Sequence, residues 1–67
     1  MQISARNQLK AKITDIKNGP VSTELALDVN GQTMIAVITT GSANSMGLKK
    51  GDEVTALVKS SSVMVMK

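Results

Sequence analysis

The chain contains no cysteine, no histidine and no aromatic residue. Each absence excludes something. Without Cys there is no disulfide, and without Cys and His the usual zinc sites are gone. The commonest general base and the most reactive nucleophile are missing as well. A core without Phe, Tyr or Trp must be built from Ile, Leu, Val, Met and Ala, which bury less area per residue. It also offers no ring on which a nucleic-acid base could stack. No apolar run approaches the roughly 20 residues that span a bilayer. The N-terminus lacks a charged-then-apolar targeting pattern, so a cytoplasmic location and no membrane partner are expected.

What is present is a chain of 67 residues, enough for a single domain over 1–67. A domain this small buries too little of its own surface to be comfortably stable. Disulfides, a structural metal or partner subunits usually compensate. With the first two excluded, a homo-oligomer is the expectation. The hydrophobic fraction of 42% is ordinary for a globular chain. A net charge of +3 favours anionic partners without naming one.

Period-two alternation runs through most of the sequence. Residues 2–17 read as one long strand, with Ile3, Leu9, Ala11 and Ile13 on one parity. Asn18-Gly19-Pro20 is turn chemistry. Residues 21–29 alternate, with Val21, Thr23, Leu25, Leu27 and Val29 facing one way, as in a half-buried antiparallel strand. Asn30-Gly31 is a strong hairpin signal, because a type I′ turn needs positive φ twice. In the return strand, 32–40, Met34 to Ile38 are apolar on both parities. That pattern fits either a neighbouring chain on one face or a central strand covered by a loop.

Residues 41–48 break the alternation. Ser42 is a possible cap of a short helical turn and Gly47 its stop. A turn at Lys49-Lys50-Gly51-Asp52 leads to a fourth strand over 53–59, and Ser60 to Ser62 separate it from a fifth over 63–66. The expected class is all-β. Five strands with one short helical turn between the third and fourth is the order of an OB-like barrel; a meander sandwich is the alternative.

Catalysis finds little support. The five acids, Asp15, Glu24, Asp28, Asp52 and Glu53, fall at turns or exposed strand positions. Lys59 and Ser60 could form a nucleophile pair, but neighbours along a strand point to opposite faces. The sequence reads as non-enzymatic. A small OB-type nucleic-acid-binding or structural interaction module is an alternative function. Against nucleic acid stand the missing aromatics and the scattering of the eight cations.

Three segments are rich in hydrogen-bond donors: Ser4-Ala5-Arg6-Asn7-Gln8, Thr39-Thr40-Gly41-Ser42 and Lys59-Ser60-Ser61-Ser62. Taken singly, the first reads equally as an exposed edge strand and the third as a polar bulge or turn, while the second reads first as a plain capping turn. Together they supply Arg, Lys, Ser and Thr with no carboxylate among them. That set does not suit a hard cation, which needs carboxylate ligands; it suits an oxyanion.

The first and third segments, with Val63-Met64 after the latter, resemble the Mop domain. So does the middle of the chain, from Ala36-Val37-Ile38-Thr39-Thr40 through Met46-Gly47-Leu48 to Gly51-Asp52-Glu53-Val54. The resemblance covers essentially the whole chain and is to the free-standing molbindin form. It implies an OB-like fold, a hexamer built as a trimer of dimers, and molybdate or tungstate bound at subunit interfaces without an organic cofactor. It implies storage or buffering of the anion. Carried over by motif, Ser4, Arg6 and the Ala5 N–H would donate from one subunit. Thr39, Ser42, Lys59 and Ser60 would complete the pocket, some from a neighbour. A second class of site is assigned to the Asn18–Ser22 turn, at Gly19, Val21 and Ser22. Pro20 in that turn has no N–H to give.

Overall fold

A computed structural model describes residues 2–67. Four strands, β1 (Asn7–Asn18), β2 (Ser22–Val29), β3 (Gln32–Thr39) and β4 (Glu53–Val58), form one antiparallel sheet in the order β3-β2-β1-β4. A seven-residue helix, α1 (Thr40–Met46), follows β3.

The all-β expectation and the three turn readings hold. Asn30 (φ 55°) and Gly31 (φ 86°) take the positive φ that the β2–β3 hairpin requires. Gly47 (φ 62°) ends α1, with its N–H and that of Leu48 reaching back to Asn44 O and Ala43 O. The helix cap differs from expectation. Thr39, not Ser42, is the N-cap, because its Oγ1 accepts the Ser42 N–H at 3.1 Å, three residues into the helix.

The core lies on one face of the sheet. Ala11, Ile13, Leu25 and Leu27 are buried at its centre, ringed by Ile16, Val29, Met34, Ala36, Ile38, Leu48, Val54 and Ala56. Ile13 and Ile16 both turn towards this face, though three residues apart. A regular strand cannot do that, since its side-chain period is two. The strand therefore bulges: Ile13 faces Leu27 and Asp15 faces Ala26, leaving Thr14 without a partner. The Thr14 hydroxyl donates to Ala26 O at 3.2 Å.

Two expected strand segments are absent. Residues 2–6 are not in a strand, because the β1–β4 ladder stops at Asn7 and Val58 and leaves them no edge to pair with. Residues 63–66 form no fifth strand either. A 3-10 turn at Ser60–Ser62, closed by Ser62 N–H to Lys59 O at 2.9 Å, swings the chain away from the sheet. The sheet is consequently open, with β3 and β4 as free edges, rather than a closed five-stranded barrel. Met64, Val65 and Met66 are more than nine-tenths exposed.

As an edge strand, β3 cannot be the covered central strand that one reading of its composition allowed. Met34, Ala36 and Ile38 pack on the core, while Ile35 and Val37 stand 56% and 64% exposed on the outer face.

Candidate oxyanion site

The segments before β1 and after β4 meet because of the ladder. β1 begins and β4 ends at the same rung, so the residues just before Asn7 and just after Val58 leave the sheet side by side. Between them lies a hollow of about 410 Å³ lined by Ile3, Ser4, Ala5, Lys59, Ser60 and Ser61. Gln8 holds the N-terminal side, its Nε2 donating to Ala5 O at 2.8 Å. The lining offers one ammonium, three hydroxyls and no carboxylate.

Four of the expected site residues, Ser4, Ala5, Lys59 and Ser60, therefore share one pocket. Ser61 and Ile3 join them, which sequence reasoning did not select; the serine triplet was the available signal for Ser61. Arg6 is exposed and does not line the hollow. Among the described residues the single cation–carboxylate contact is Lys17–Glu24 at 3.9 Å, so neither Arg6 nor Lys59 is neutralised by an acid.

Thr39 and Ser42 do not line this hollow; they meet each other. Thr39 Oγ1 accepts the Ser42 N–H and donates to Ser42 Oγ at 2.7 Å. Thr39 thus has its one hydroxyl hydrogen engaged, whereas Ser42 keeps its own. Ser22 sits directly across the β2–β3 ladder from Thr39. The second-site expectation and the helix cap thereby fall in one place, an outer-face group of Ser22, Thr39 and Ser42. The Gly19 N–H is bonded to Ser22 O at 3.0 Å. Val21, 77% exposed, has its carbonyl bonded by the Thr40 N–H at 2.9 Å.

A larger hollow of about 580 Å³ opens among Lys10, Lys12, Asp28, Asn30, Glu53 and Thr55. Register places Lys12 between Asp28 and Glu53. Two carboxylates in the lining work against a dianion there. Among the described residues there is no group of three or more His, Cys, Asp or Glu able to hold a bare metal ion.

Residues 3–65 match the TOBE domain model. This chain belongs to the TOBE-domain family. Within it the chain is a Mop domain of the molbindin type. It is 45% identical to molybdenum-pterin-binding protein 2 of Clostridium pasteurianum, over 98% of each chain. Its fold superposes on a molybdate-binding protein from Sporomusa ovata with a TM-score of 0.95 and 40% identity, each chain covered completely. A third similarity is to the cytoplasmic molybdate-binding protein ModG, solved with molybdate bound. There the TM-score is 0.82 at 42% identity, covering 88% of this Mop domain and 43% of ModG. The open sheet with one short helix is thus the OB-like fold of the molbindins. No helix among the described residues is long and apolar enough to cross a membrane.

Proposed function

We propose that this Mop domain binds molybdate or tungstate as the intact oxyanion and stores or buffers it in the cytoplasm, without catalysing a reaction on it. The observation that carries this is the hollow between the segments before β1 and after β4, with Lys59, Ser4, Ser60 and Ser61 in its lining and no acid. Molybdate is tetrahedral, doubly charged and unprotonated at neutral pH, so its oxygens only accept hydrogen bonds. A lining made of donors suits it. Hydrogen phosphate would turn its own O–H against donors, at a cost of about 1–3 kcal/mol for the unsatisfied group. Sulfate is also unprotonated, so this logic does not reject it; discrimination against sulfate has to come from size, through the longer metal–oxygen bonds of molybdate.

The Clostridium relative is named for a molybdenum pterin. A pterin ring needs a flat apolar or aromatic surface, and this chain has no aromatic residue. The inorganic anion is the better fit.

The proposal includes a homo-oligomer, a hexamer arranged as a trimer of dimers, in which neighbouring copies complete the site. Arg6, outside the hollow in one chain, then reaches an anion held with a neighbour. So do Thr39, Ser42 and Ser22. Exposed Ile35 and Val37 on β3 and the bare apolar tail support assembly, since such surface is costly to leave in water. The tail finds its sheet edge in a neighbouring copy, and the open sheet closes into a barrel there. Like cations at an acid-free interface repel until the anion bridges them, so ligand and assembly are coupled.

Isothermal titration of the purified protein with molybdate, tungstate, sulfate and phosphate tests the reading. Protein concentration is taken from peptide-bond absorbance. Tight uptake of molybdate or tungstate with little response to the other two supports it. Absence of uptake, checked by equilibrium dialysis, refutes it and returns attention to the structural-module alternative.

A further inference from the structure

Beneath the Ser22, Thr39 and Ser42 hydroxyls, on the core side of the sheet, lies a second set of polar groups. Thr23 has no exposed surface at all, the one buried polar side chain among the described residues. Its Oγ1 is 2.8 Å from Thr40 Oγ1 and 3.3 Å from the acceptor Asn18 Oδ1. Thr40 Oγ1 donates to Gly19 O at 2.7 Å.

The direction of these bonds follows from counting hydrogens. Gly19 O is a carbonyl, so the single Thr40 hydroxyl hydrogen must point at it. Thr40 then accepts from Thr23, which uses the Thr23 hydrogen. Asn18 Oδ1, at 3.3 Å, is the longer and weaker second acceptor for that same Thr23 hydrogen. The contacts link Asn18, Thr23, Thr40 and Gly19, and the last residue is the neighbour of the first. The circuit closes around the turn between β1 and β2. A further bond from the Thr40 N–H to Val21 O fastens the same turn to the start of α1.

We infer that Thr40 and Thr23 are positioning residues: their hydroxyl pair, buried at Thr23 and half-buried at Thr40, holds the Gly19–Ser22 turn against α1 and fixes the spacing of the Ser22 and Ser42 hydroxyls that meet the anion. The inference rests on the proposed oxyanion-binding function. Thr40 is the hinge pin. It follows the cap residue Thr39 directly, and three of its hydrogen bonds go to the turn or to Thr23, with none to the outer face. A hydroxyl network of this kind, satisfied throughout, resists small displacements more than apolar packing does, because a shifted member leaves a buried polar group unpaired.

The test compares Thr40→Val and Thr40→Ser with wild type in the full chain, titrating molybdate calorimetrically and checking folding by thermal melts. Val keeps the shape and removes the hydroxyl; Ser keeps the hydroxyl. Thr40→Val is expected to bind about tenfold more weakly, on the order of one lost hydrogen bond, and Thr40→Ser to return to the wild-type affinity. Equal binding by wild type and Thr40→Val overturns the inference alone. So does a Thr40→Ser protein as weak as Thr40→Val, which assigns the effect to packing. A wild-type chain that takes up no molybdate overturns the function and the inference together. Should Thr40→Val not fold, amide resonances decide in wild type: those of Gly19, Thr40 and Ser42 are expected to shift together as molybdate is added. A Ser42 shift with Gly19 and Thr40 unmoved overturns the inference.

Discussion

Asn7 stands directly opposite Val58, and this rung is the last of the β1–β4 ladder. Everything about the main hollow follows from that pairing. It sets the segments flanking β1 and β4 next to each other, more than fifty residues apart in sequence, and brings Ser4 and Ser60 to one hollow. A shift of one residue in the register would turn alternate side chains to the wrong face.

Lys59 supplies the one charge in that lining. Replacing it by Ala is expected to cost about 1.5–3 kcal/mol of molybdate binding, the range for a hydrogen bond to a charged group. Titration calorimetry would then show an affinity lower by roughly 10- to 150-fold. An affinity unchanged in Lys59→Ala removes this residue from the site.

Arg6 separates the single chain from the assembly. Exposed and outside the hollow here, it is expected to meet the anion through a neighbouring copy in the proposed assembly. Arg6→Ala is expected to weaken binding strongly. Asn7→Ala, at the ladder rung, is expected to act through folding, lowering the urea midpoint instead. Wild-type affinity in Arg6→Ala removes Arg6 from the site.

Molybdate is expected to raise the melting temperature. At a hundredfold excess over Kd the gain is about 2.7 kcal/mol per site. For a domain of this size that amounts to roughly 10–20 °C. Coincident melts with and without molybdate would break the link between ligand and stability.

Two glycines should answer to Ala with opposite signs. A Cβ at Gly19 would sit 2.5 Å from Ser22 O, a backbone atom that cannot easily give way. Gly19→Ala is expected to destabilise by about 1–3 kcal/mol. Gly41, in the first turn of α1, has open space and no positive φ, so Gly41→Ala is expected to stabilise by about 0.5–1 kcal/mol. Urea unfolding of both variants checks the pair, and a stable Gly19→Ala protein contradicts the close approach.

The tail tests assembly. Val65→Asp places a charge in a segment more than nine-tenths exposed in the single chain, where it should cost almost nothing. If neighbouring copies cover it, sedimentation will show smaller species. Unchanged mass argues that the tail remains in water.

Much of this protein was legible in its residues. The Asn30-Gly31 turn, the Gly47 stop and the alternation of β2 are local facts, since φ preference and side-chain period need no distant partner. The donor-rich segments and the absence of acids among them were equally plain, as was the Mop resemblance they carry. Other features depended on partners that no short window contains. The fifth strand failed because alternating apolar residues make a strand only where an edge is free to pair, and the Ser60–Ser62 turn leads residues 63–66 away from one. The bulge at Thr14 was hinted at by Ile13 and Ile16 standing three apart, yet it needed the β2 register to become visible. Thr23 looked like one more residue of an alternating strand. Only the fold sets Thr40 and Gly19 O in line with it, because hydrogen bonds between residues seventeen and twenty-one apart exist only once the sheet has brought them to bonding distance.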